Sequence, residues 1–410
     1  MGLNETSSAS RVHIGFFGRR NAGKSSLVNA VTGQETAIVS DVAGTTTDPV
    51  YKAMELLPLG PVMIIDTPGI DDAGTLGDLR VRKARQVLAK TDAAVLAVDA
   101  VQGKTKADEE LIAIFRDRQV KFIVAYTKAD LPDAWPDRGA DTPGEPSIHV
   151  SARTGTNINE LKERIAALAS AADSKLRLVG DLINPSDFVV LVTPIDKAAP
   201  KGRLILPQQQ TIRDILEADA AAIVVKEFEL RETLANLGKK PRLVITDSQV
   251  FAKVSADTPR EIPLTSFSIL FARYKGSLAQ TVRGVTALEK LADGDRVLIA
   301  EGCTHHRQCD DIGAVKLPRW IKNYTGKTPE FVLTSGTEFP DDLSGYTLIV
   351  HCGGCMLNER DMKYRHRRAE DQGTPMTNYG VLIAYIQGIL PRSVAMFPHI
   401  LAELEPESGV

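Results

Sequence analysis

The fold of this chain is decided by Gly18-Arg-Arg-Asn21-Ala-Gly23-Lys24-Ser25, at residues 18–25. This stretch follows the apolar run Val12–Phe17, which is typical of a buried strand, and precedes the helix-like segment Ser26–Val31. A glycine-rich turn between a strand and a helix is the context of a phosphate-binding loop. Its glycines let backbone N–H groups surround phosphate oxygens, and the helix N-terminus adds partial positive charge. Lys24 would then reach the β- and γ-phosphates, and the Ser25 hydroxyl would coordinate Mg²⁺.

Strand-like runs and helical patterns alternate along most of the chain. Over residues 11–172 this alternation predicts an α/β domain with a doubly wound, mostly parallel sheet around the phosphate loop. Two smaller α/β domains are predicted at 176–270 and 274–410, after a polar, disordered start at 1–10. The strands and helices that support this division are 12–17, 62–66, 93–99, 122–126, 159–168, 188–195, 210–217, 221–225, 230–237, 242–246, 285–291, 296–300, 319–324, 331–334, 346–350 and 381–387.

Composition excludes several classes of protein. The 410 residues carry a formal charge of −3 and four cysteines, so a secreted disulfide framework is not expected. No apolar stretch reaches the length of a membrane span, and no signal-peptide pattern opens the chain. We therefore expect a cytoplasmic protein with neither nucleic acid nor a membrane as its partner.

Four further motifs follow the phosphate loop in order. They are Thr45-Thr46-Thr47, Asp66-Thr-Pro-Gly69, Thr127-Lys128-Ala-Asp130 and Ser151-Ala152-Arg153. Together with residues 18–25 they resemble the GTPase superfamily, specifically its TrmE- and Era-like members, across roughly the first 170 residues.

The resemblance implies a role for each motif. Thr46 would bind Mg²⁺, Asp66 would hold Mg²⁺ through water, and the Gly69 amide would sense the γ-phosphate. Asp130 would accept two hydrogen bonds from guanine, which adenine cannot donate. Catalysis is thus assigned to Lys24, Thr46, Asp66 and Gly69, and binding of GTP, Mg²⁺ and K⁺ to Asn21, Ala22, Gly23, Lys24, Ser25, Ser26, Thr46, Asp66, Gly69, Thr127, Lys128, Asp130, Ser151 and Ala152.

Three positions bear on the rate of hydrolysis and on base recognition. Thr127 stands where such GTPases usually have Asn, which predicts weaker guanine binding with unchanged selectivity. Ile70 replaces a residue that is often a water-orienting Gln. Asn21 stands where potassium-dependent GTPases carry a K⁺ ligand, so slow hydrolysis stimulated by K⁺ is expected. Arg19 and Arg20 are interpreted as solvent-facing loop residues.

Two cysteine–histidine clusters indicate a metal site. Cys303-Thr-His305 and His351-Cys352-Gly-Gly-Cys355 each follow an apolar run, 296–300 and 346–350, so both should lie at strand ends. Three thiolates and an imidazole suit either Zn²⁺ or a [4Fe–4S] cluster, and the spacing leaves both possibilities open.

The whole arrangement resembles the GTPase that matures iron–iron hydrogenases. That resemblance implies a homodimer that serves as scaffold, carrier or metallochaperone for the di-iron subcluster of the H-cluster. Its [4Fe–4S] cluster would be held by Cys303, Cys352 and Cys355, with His305 or His351 as the candidate fourth ligand. The implied partners are the apo iron–iron hydrogenase and radical-SAM maturation enzymes, and the implied cargo is a transient di-iron fragment.

Some residues carry simpler expectations. Cys309 lies outside the family pattern and is expected to be a small buried hydrophobic residue, with a spare thiol and a fourth ligand as the alternatives. The basic run Lys363–Arg368 is interpreted as an exposed helix face. Two alternatives remain: an RNA- or ribosome-assembly GTPase with a structural zinc domain, and a zinc-stabilised scaffold in which GTP controls conformation.

Overall fold

The computed structural model describes residue 8 and residues 11–33, 49–69, 86–134, 145–170, 176–195, 204–302, 311–336 and 339–404. The chain forms two compact units, residues 1–174 and 175–410, which are considered separately below. Except for Ser8, the segment 1–10 that was predicted to be disordered lies outside the described residues. None of the described helices is both long and apolar enough to cross a membrane.

The first unit is built on a six-stranded sheet in the order β2-β3-β1-β4-β5-β6. β2 is antiparallel to β3, and the other neighbours are parallel. The strands are β1 Val12–Gly18, β2 Val50–Leu56, β3 Gly60–Asp66, β4 Ala93–Asp99, β5 Lys121–Thr127 and β6 Ser147–His149. The described helices with assigned bounds are α1 Lys24–Thr32, α2 Lys106–Asp117 and α3 Ile158–Ser170. The predicted doubly wound, mostly parallel sheet is confirmed.

Apolar cores cover both faces of this sheet. All seven residues of β4 are buried, as expected for a parallel strand between two layers of helices. One core contains Ile14 and Leu27, and the other contains Phe17, whose ring lies 5.3 Å from that of Phe115 in an edge-to-face arrangement. Because β1, β3, β4 and β5 are parallel, their carboxyl ends meet at one edge of the sheet, where residues 18–25, 66–69 and 127–130 lie.

The second unit contains two four-stranded parallel sheets, in the orders β10-β9-β7-β8 and β12-β11-β13-β14. The strands of the first are β7 Phe188–Val192, β8 Ala221–Val225, β9 Leu243–Thr246 and β10 Leu264–Ser266, and those of the second are β11 Arg296–Ala300, β12 Glu330–Thr334, β13 Leu348–His351 and β14 Met376–Asn378. The α-helices are α4 Leu206–Leu216, α5 Leu230–Asn236, α6 Phe251–Asp257, α7 Phe267–Lys275, α8 Leu278–Val285, α9 Leu317–Thr325, α10 Glu359–Asp371, α11 Tyr379–Ile386, α12 Leu390–Val394 and α13 Pro398–Leu401.

A continuous apolar core joins the two sheets of this unit. It includes Val190 of the first sheet, Leu270 of α7, and Val350 of the second sheet. The second unit therefore holds two α/β sheets that are packed together through shared helices, and its division into two domains stays a prediction. Helix α7 lies at the predicted division between them, 270–274.

The sequence prediction was wrong for the basic run at Lys363–Arg368. These residues belong to α10, and Arg365 is the largest fully buried side chain in the described structure. His366 is also buried, whereas Lys363 and Arg367 are exposed. The helix thus presents one of its faces to the protein interior, because residues three and four positions apart share a face.

Candidate functional site

The phosphate loop has the backbone shape that surrounding an anion requires. Gly18 and Gly23 have φ values of 144° and 77°, and Gly23 is the N-cap of α1. A Cβ on Gly18 would lie 2.4 Å from the carbonyl oxygen of Ala97, so no other residue fits there. Asn21 also has a positive φ, 59°, which asparagine tolerates better than most residues. Gly69 lies directly against this loop, since a Cβ there would be 2.8 Å from the Arg20 amide nitrogen.

Three of the predicted Mg²⁺ and phosphate groups lie together at the start of α1. The Ser25 hydroxyl donates to Asp66 Oδ2 at 2.9 Å, and Lys24 Nζ lies 3.7 Å from Asp66 Oδ1. Burial raises the pKa of Asp66, while the nearby Lys24 opposes that rise. Oδ1 is buried and accepts no hydrogen bond within the described residues, so it is available to water on a metal ion. These oxygens fit Mg²⁺, which prefers carboxylate and hydroxyl ligands and retains several waters. The other predicted ligand, Thr46, and Ile70 lie outside the described residues.

Thr127 joins the phosphate loop to the base-recognition motif. Its buried hydroxyl donates to the carbonyl oxygen of Ala22 at 2.6 Å. The carbonyl oxygen of Val98 is also near, at 3.2 Å, but a hydroxyl has one proton and the shorter contact takes it. The Thr that replaces Asn is therefore a tie between β5 and the loop that follows β1.

The base-recognition residues lie at the ends of β5 and β6. The Ser151 hydroxyl donates to Asp130 Oδ1 at 2.6 Å, and Arg153 lies 2.7 Å from Oδ2. Both contacts hold the pKa of Asp130 below its ordinary value. Lys128 donates to Asp99 Oδ2 at 2.7 Å. Asp130 is thus an ionised acceptor, which is what the donor edge of guanine requires. Ser26 lies in α1 and Ala152 in the turn after β6.

Sequence reasoning missed Asp99 and was wrong about Arg19. Although burial raises the pKa of Asp99, the hydrogen bond from Lys128 holds it below its ordinary value. Arg19 is not solvent-facing, because its side chain is 16% exposed and its Nε lies 3.2 Å from Asp108 Oδ2. Asp108 also accepts from the Thr105 amide at the start of α2. Asp99 is the polar last residue of an apolar run, and that position could have indicated a functional residue. The Arg19–Asp108 ion pair joins residues far apart in sequence, so no local pattern indicates it.

In the second unit, the cysteine loop starts at the end of β13. The Cys352 amide donates to the carbonyl oxygen of Ala300 at 2.8 Å, so the loop is fixed to the end of β11. Cys352 Sγ accepts from the amides of Gly302 at 3.0 Å and Gly354 at 3.4 Å. Gly354 has a φ of 62°, and a Cβ on it would lie 2.6 Å from the Met362 sulfur. This turn therefore requires glycine.

The donor set of this loop fits a thiophilic metal centre. Cys352 and Cys355 are free thiols, and burial raises the pKa of Cys352 to about 11 and raises that of Cys355 as well. Metal binding would have to expel both protons. Among the described residues no three His, Cys, Asp or Glu side chains form a metal-binding group. The predicted ligands Cys303 and His305, and also Cys309, lie outside those residues.

Both ring nitrogens of His351 have partners. Nδ1 donates to the carbonyl oxygen of Cys352 at 2.7 Å, and Nε2 accepts from Arg365 at 3.0 Å. Arg365 in turn pairs with Asp361 at 3.0 Å and donates to the carbonyl oxygen of Gly336. Burial, reinforced by Arg365, lowers the pKa of His351 to about 3. The ring is thus neutral and fully hydrogen-bonded, and it connects the Cys352 carbonyl oxygen to Arg365.

Comparisons with known proteins agree with this arrangement. Residues 13–128 match the model of the 50S ribosome-binding GTPase family. The tRNA modification GTPase MnmE of Endomicrobium trichonymphae is 29% identical over 189 residues, 45% of this chain and 41% of that protein. GTPase Der of Maridesulfovibrio salexigens is 41% identical over 132 residues, 31% of this chain and 29% of that protein. The chain thus spans less than half the length of these relatives.

A solved structure of Era from Aquifex aeolicus, bound to GDP and aluminium fluoride, is 22% identical. It covers 55% of this chain and 98% of its own, with a TM-score of 0.35.

The phosphate loop, Asp66 and the base-recognition residues, on a doubly wound sheet, define the first unit as a P-loop GTPase domain. The rest of the chain matches two models of one family, the Hydrogen maturase F dimerization domain at 178–276 and the Hydrogen maturase F tetramerization domain at 279–396. The chain therefore belongs to the hydrogen maturase F family, as the sequence resemblance predicted.

Proposed function

We propose that this protein is a GTP-hydrolysing scaffold or carrier for the di-iron subcluster of the H-cluster. It would bind a [4Fe–4S] cluster and deliver a di-iron fragment to apo iron–iron hydrogenase, in cooperation with radical-SAM maturation enzymes. The observation that carries the proposal is the pair Cys352 and Cys355 on a glycine turn fixed to β11, within the region that matches the family's tetramerization domain. The same match disfavours an RNA- or ribosome-assembly protein with structural zinc.

In the first unit, the residues that bind GTP and promote its hydrolysis have separate tasks. Mg²⁺, when bound, neutralises phosphate charge. The Lys24 ammonium would sit beside the β- and γ-phosphates, and Asp66 would hold a metal-bound water through Oδ1, which accepts no hydrogen bond within the described residues. Asp130, fixed by Ser151 and Arg153, would select guanine. The switch between nucleotide states would alter association with partners, as in other GTPases.

Three cysteines would leave one corner of the cube open to exchange. We propose Cys303, Cys352 and Cys355 as the cluster ligands. Because both nitrogens of His351 are engaged, we propose that His305, a nearby carboxylate or solvent takes the fourth position. A labile ligand there would allow a metal fragment to dock and leave, which a fully thiolate-ligated cube would not.

The decisive test is anaerobic purification followed by iron, sulfide and zinc analysis. We expect about four irons and four sulfides per chain, a loss of most iron in Cys303→Ser, Cys352→Ser and Cys355→Ser, and unchanged iron in the matched control Cys309→Ser. One zinc per chain in a colourless protein would overturn the proposal. Loss of iron in Cys309→Ser would make that residue a ligand and undermine the open corner.

Potassium dependence is tested by turnover in KCl and NaCl. We propose that the Asn21 side chain contributes to a K⁺ site, so hydrolysis should be faster in KCl and Asn21→Ala should abolish the difference. Equal rates for the natural protein in both salts would contradict this.

A further inference from the structure

Lys275 is a buried cation attached to the cysteine loop. It is the last residue of α7 and is 3% exposed. Its ammonium donates to the carbonyl oxygens of Leu357 at 2.8 Å, Cys355 at 3.2 Å and Gly354 at 3.4 Å. An ammonium has three protons, so one loop uses its entire donor capacity. Lys275 therefore holds that loop in its turn.

The charge of Lys275 faces the sulfurs of that loop. Burial lowers the pKa of Lys275 to about 8, and Cys355, Cys352 and Glu359, in that order, oppose this fall. The ammonium also lies 5.3 Å from the centre of the Phe271 ring. Lysine is almost never fully buried without a compensating negative charge. Thiolates bound to a metal would supply such a charge, and a cation close to an iron–sulfur cluster stabilises its reduced, more negative state.

Lys275 also connects two parts of the second unit. It falls within the match to the dimerization domain, 178–276, whereas residues 352–357 fall within the match to the tetramerization domain, 279–396. The Lys275 ammonium thus links α7 to the loop 352–357 that follows β13.

We propose that Lys275 is a positioning residue for the cluster: it holds the loop 352–357 and, by its positive charge, raises the reduction potential of the cluster. This inference rests on the proposed function, and it assigns to the site a residue that contributes no metal ligand.

The test compares Lys275→Met, which removes charge and donors, with Lys275→Arg, which keeps both. In Lys275→Met we expect amide hydrogen exchange at 352–358 of the apoprotein to be at least tenfold faster. In the loaded protein, the ratio of reduced to oxidised cluster at a fixed applied potential should fall at least tenfold, equivalent to about 59 mV for one electron. Lys275→Arg should change neither quantity by more than threefold. The matched control is Lys363→Met, an exposed lysine on α10.

The proposal is overturned if Lys275→Met behaves like Lys363→Met, or if a correctly folded Lys275→Arg shifts the ratio as far as Met does. Should Lys275→Arg fail to fold, Lys275→Gln replaces it, because Gln keeps two donors without the charge. A tenfold shift in Gln supports the charge effect, and an unshifted ratio overturns it. If the natural protein binds no cluster, the proposed function fails, yet hydrogen exchange in the apoprotein still tests the loop contact.

Discussion

Thr127 connects β5 to the phosphate loop, although it stands where GTPases of this kind usually have asparagine. Its hydroxyl closes the contact between β5 and the phosphate loop, through the carbonyl oxygen of Ala22. The sequence identified the substitution but not this contact, because Ala22 and Thr127 are 105 positions apart. The structure adds this hydrogen bond to the role of Thr127, and the weaker guanine binding that the sequence indicates stays a prediction.

Thr127→Val should therefore weaken nucleotide binding. The substitution keeps the shape of the side chain but leaves the Ala22 carbonyl without its donor, at a cost of about 1–2 kcal/mol. We expect a roughly tenfold rise in the Kd of a fluorescent GDP analogue. Thr154→Val is the control, since the Thr154 hydroxyl contacts the Thr156 hydroxyl at the exposed surface. An unchanged Kd in Thr127→Val would show that the tie does not support binding.

His366 should make the second unit sensitive to acid. The ring is buried against Gly276 and Gln280, and burial lowers its pKa to about 4, against 6.5 for an ordinary histidine. Above pH 6.5 the ring is neutral in both states and its contribution to stability is fully present. Between pH 6.5 and 4 the unfolded chain binds the proton first, so up to about 3 kcal/mol is lost.

The measurement is urea unfolding of the apoprotein at several pH values from 7 to 4. His366→Gln should reduce the fall in the free energy of unfolding, whereas His399→Gln, an exposed site, should not. The pKa of His351 is lowered as well, so some loss of unfolding free energy at low pH is expected in both variants. If the free energy of unfolding fell as far in His366→Gln as in the natural protein, His366 would not be the source of the acid sensitivity.

At the scale of elements, long buried strands were the most predictable feature. β4 and β11 have the bounds that their apolar runs predicted, because a strand between two layers is apolar along nearly its whole length. The three-residue strands β6, β10 and β14 were missed, since runs so short carry no periodicity. The charged residues of α10 led to the prediction of an exposed helix face, but Arg365 is buried and hydrogen-bonded to His351 and Gly336. The sequence alone cannot show that these two residues lie beside Arg365.

The edge strand β8 has the features of a surface that pairs with a second copy of the chain. It has a neighbour on one side, β7, and Val224 is 42% exposed. Leu216 and Phe228, which flank the strand in sequence, are 58% and 78% exposed. An open edge with exposed apolar side chains tends to pair with another strand. The match to a dimerization domain over 178–276 favours that partner.

Val224→Lys should therefore halve the mass of the assembly in size-exclusion chromatography with light scattering. A lysine on this edge places charge opposite its own copy. Val50→Lys is the matched control, because Val50 lies on the edge strand β2 of the first unit and is 36% exposed. If Val224→Lys kept the mass of the natural protein, the dimer would have to form through another surface.

At the scale of the whole molecule, the chain combines a GTPase domain with a second unit that carries the cysteine loop. The compact units meet in sequence at 174–175, close to the predicted boundary at 172–176. Periodicity and motif order sufficed to predict the fold of the GTPase domain, whose phosphate loop and Asp66 lie at one edge of its sheet. They did not suffice for the second unit, where Lys275 of α7 binds the cysteine loop and Arg365 of α10 binds His351.

Two compact units should unfold in two transitions, each responding to its own ligand. Trp320 lies in the second unit, and Trp135, which is outside the described residues, falls within the sequence range of the first. Trp135→Phe and Trp320→Phe therefore leave one tryptophan in each range as a fluorescence reporter. GDP with Mg²⁺ at a hundred times its Kd should stabilise the unit reported by Trp135 by about 2.7 kcal/mol. The unit reported by Trp320 should not respond to GDP. If instead GDP shifted both reporters equally, the units would unfold cooperatively, and nucleotide binding would be coupled to the stability of the cysteine loop through the whole chain.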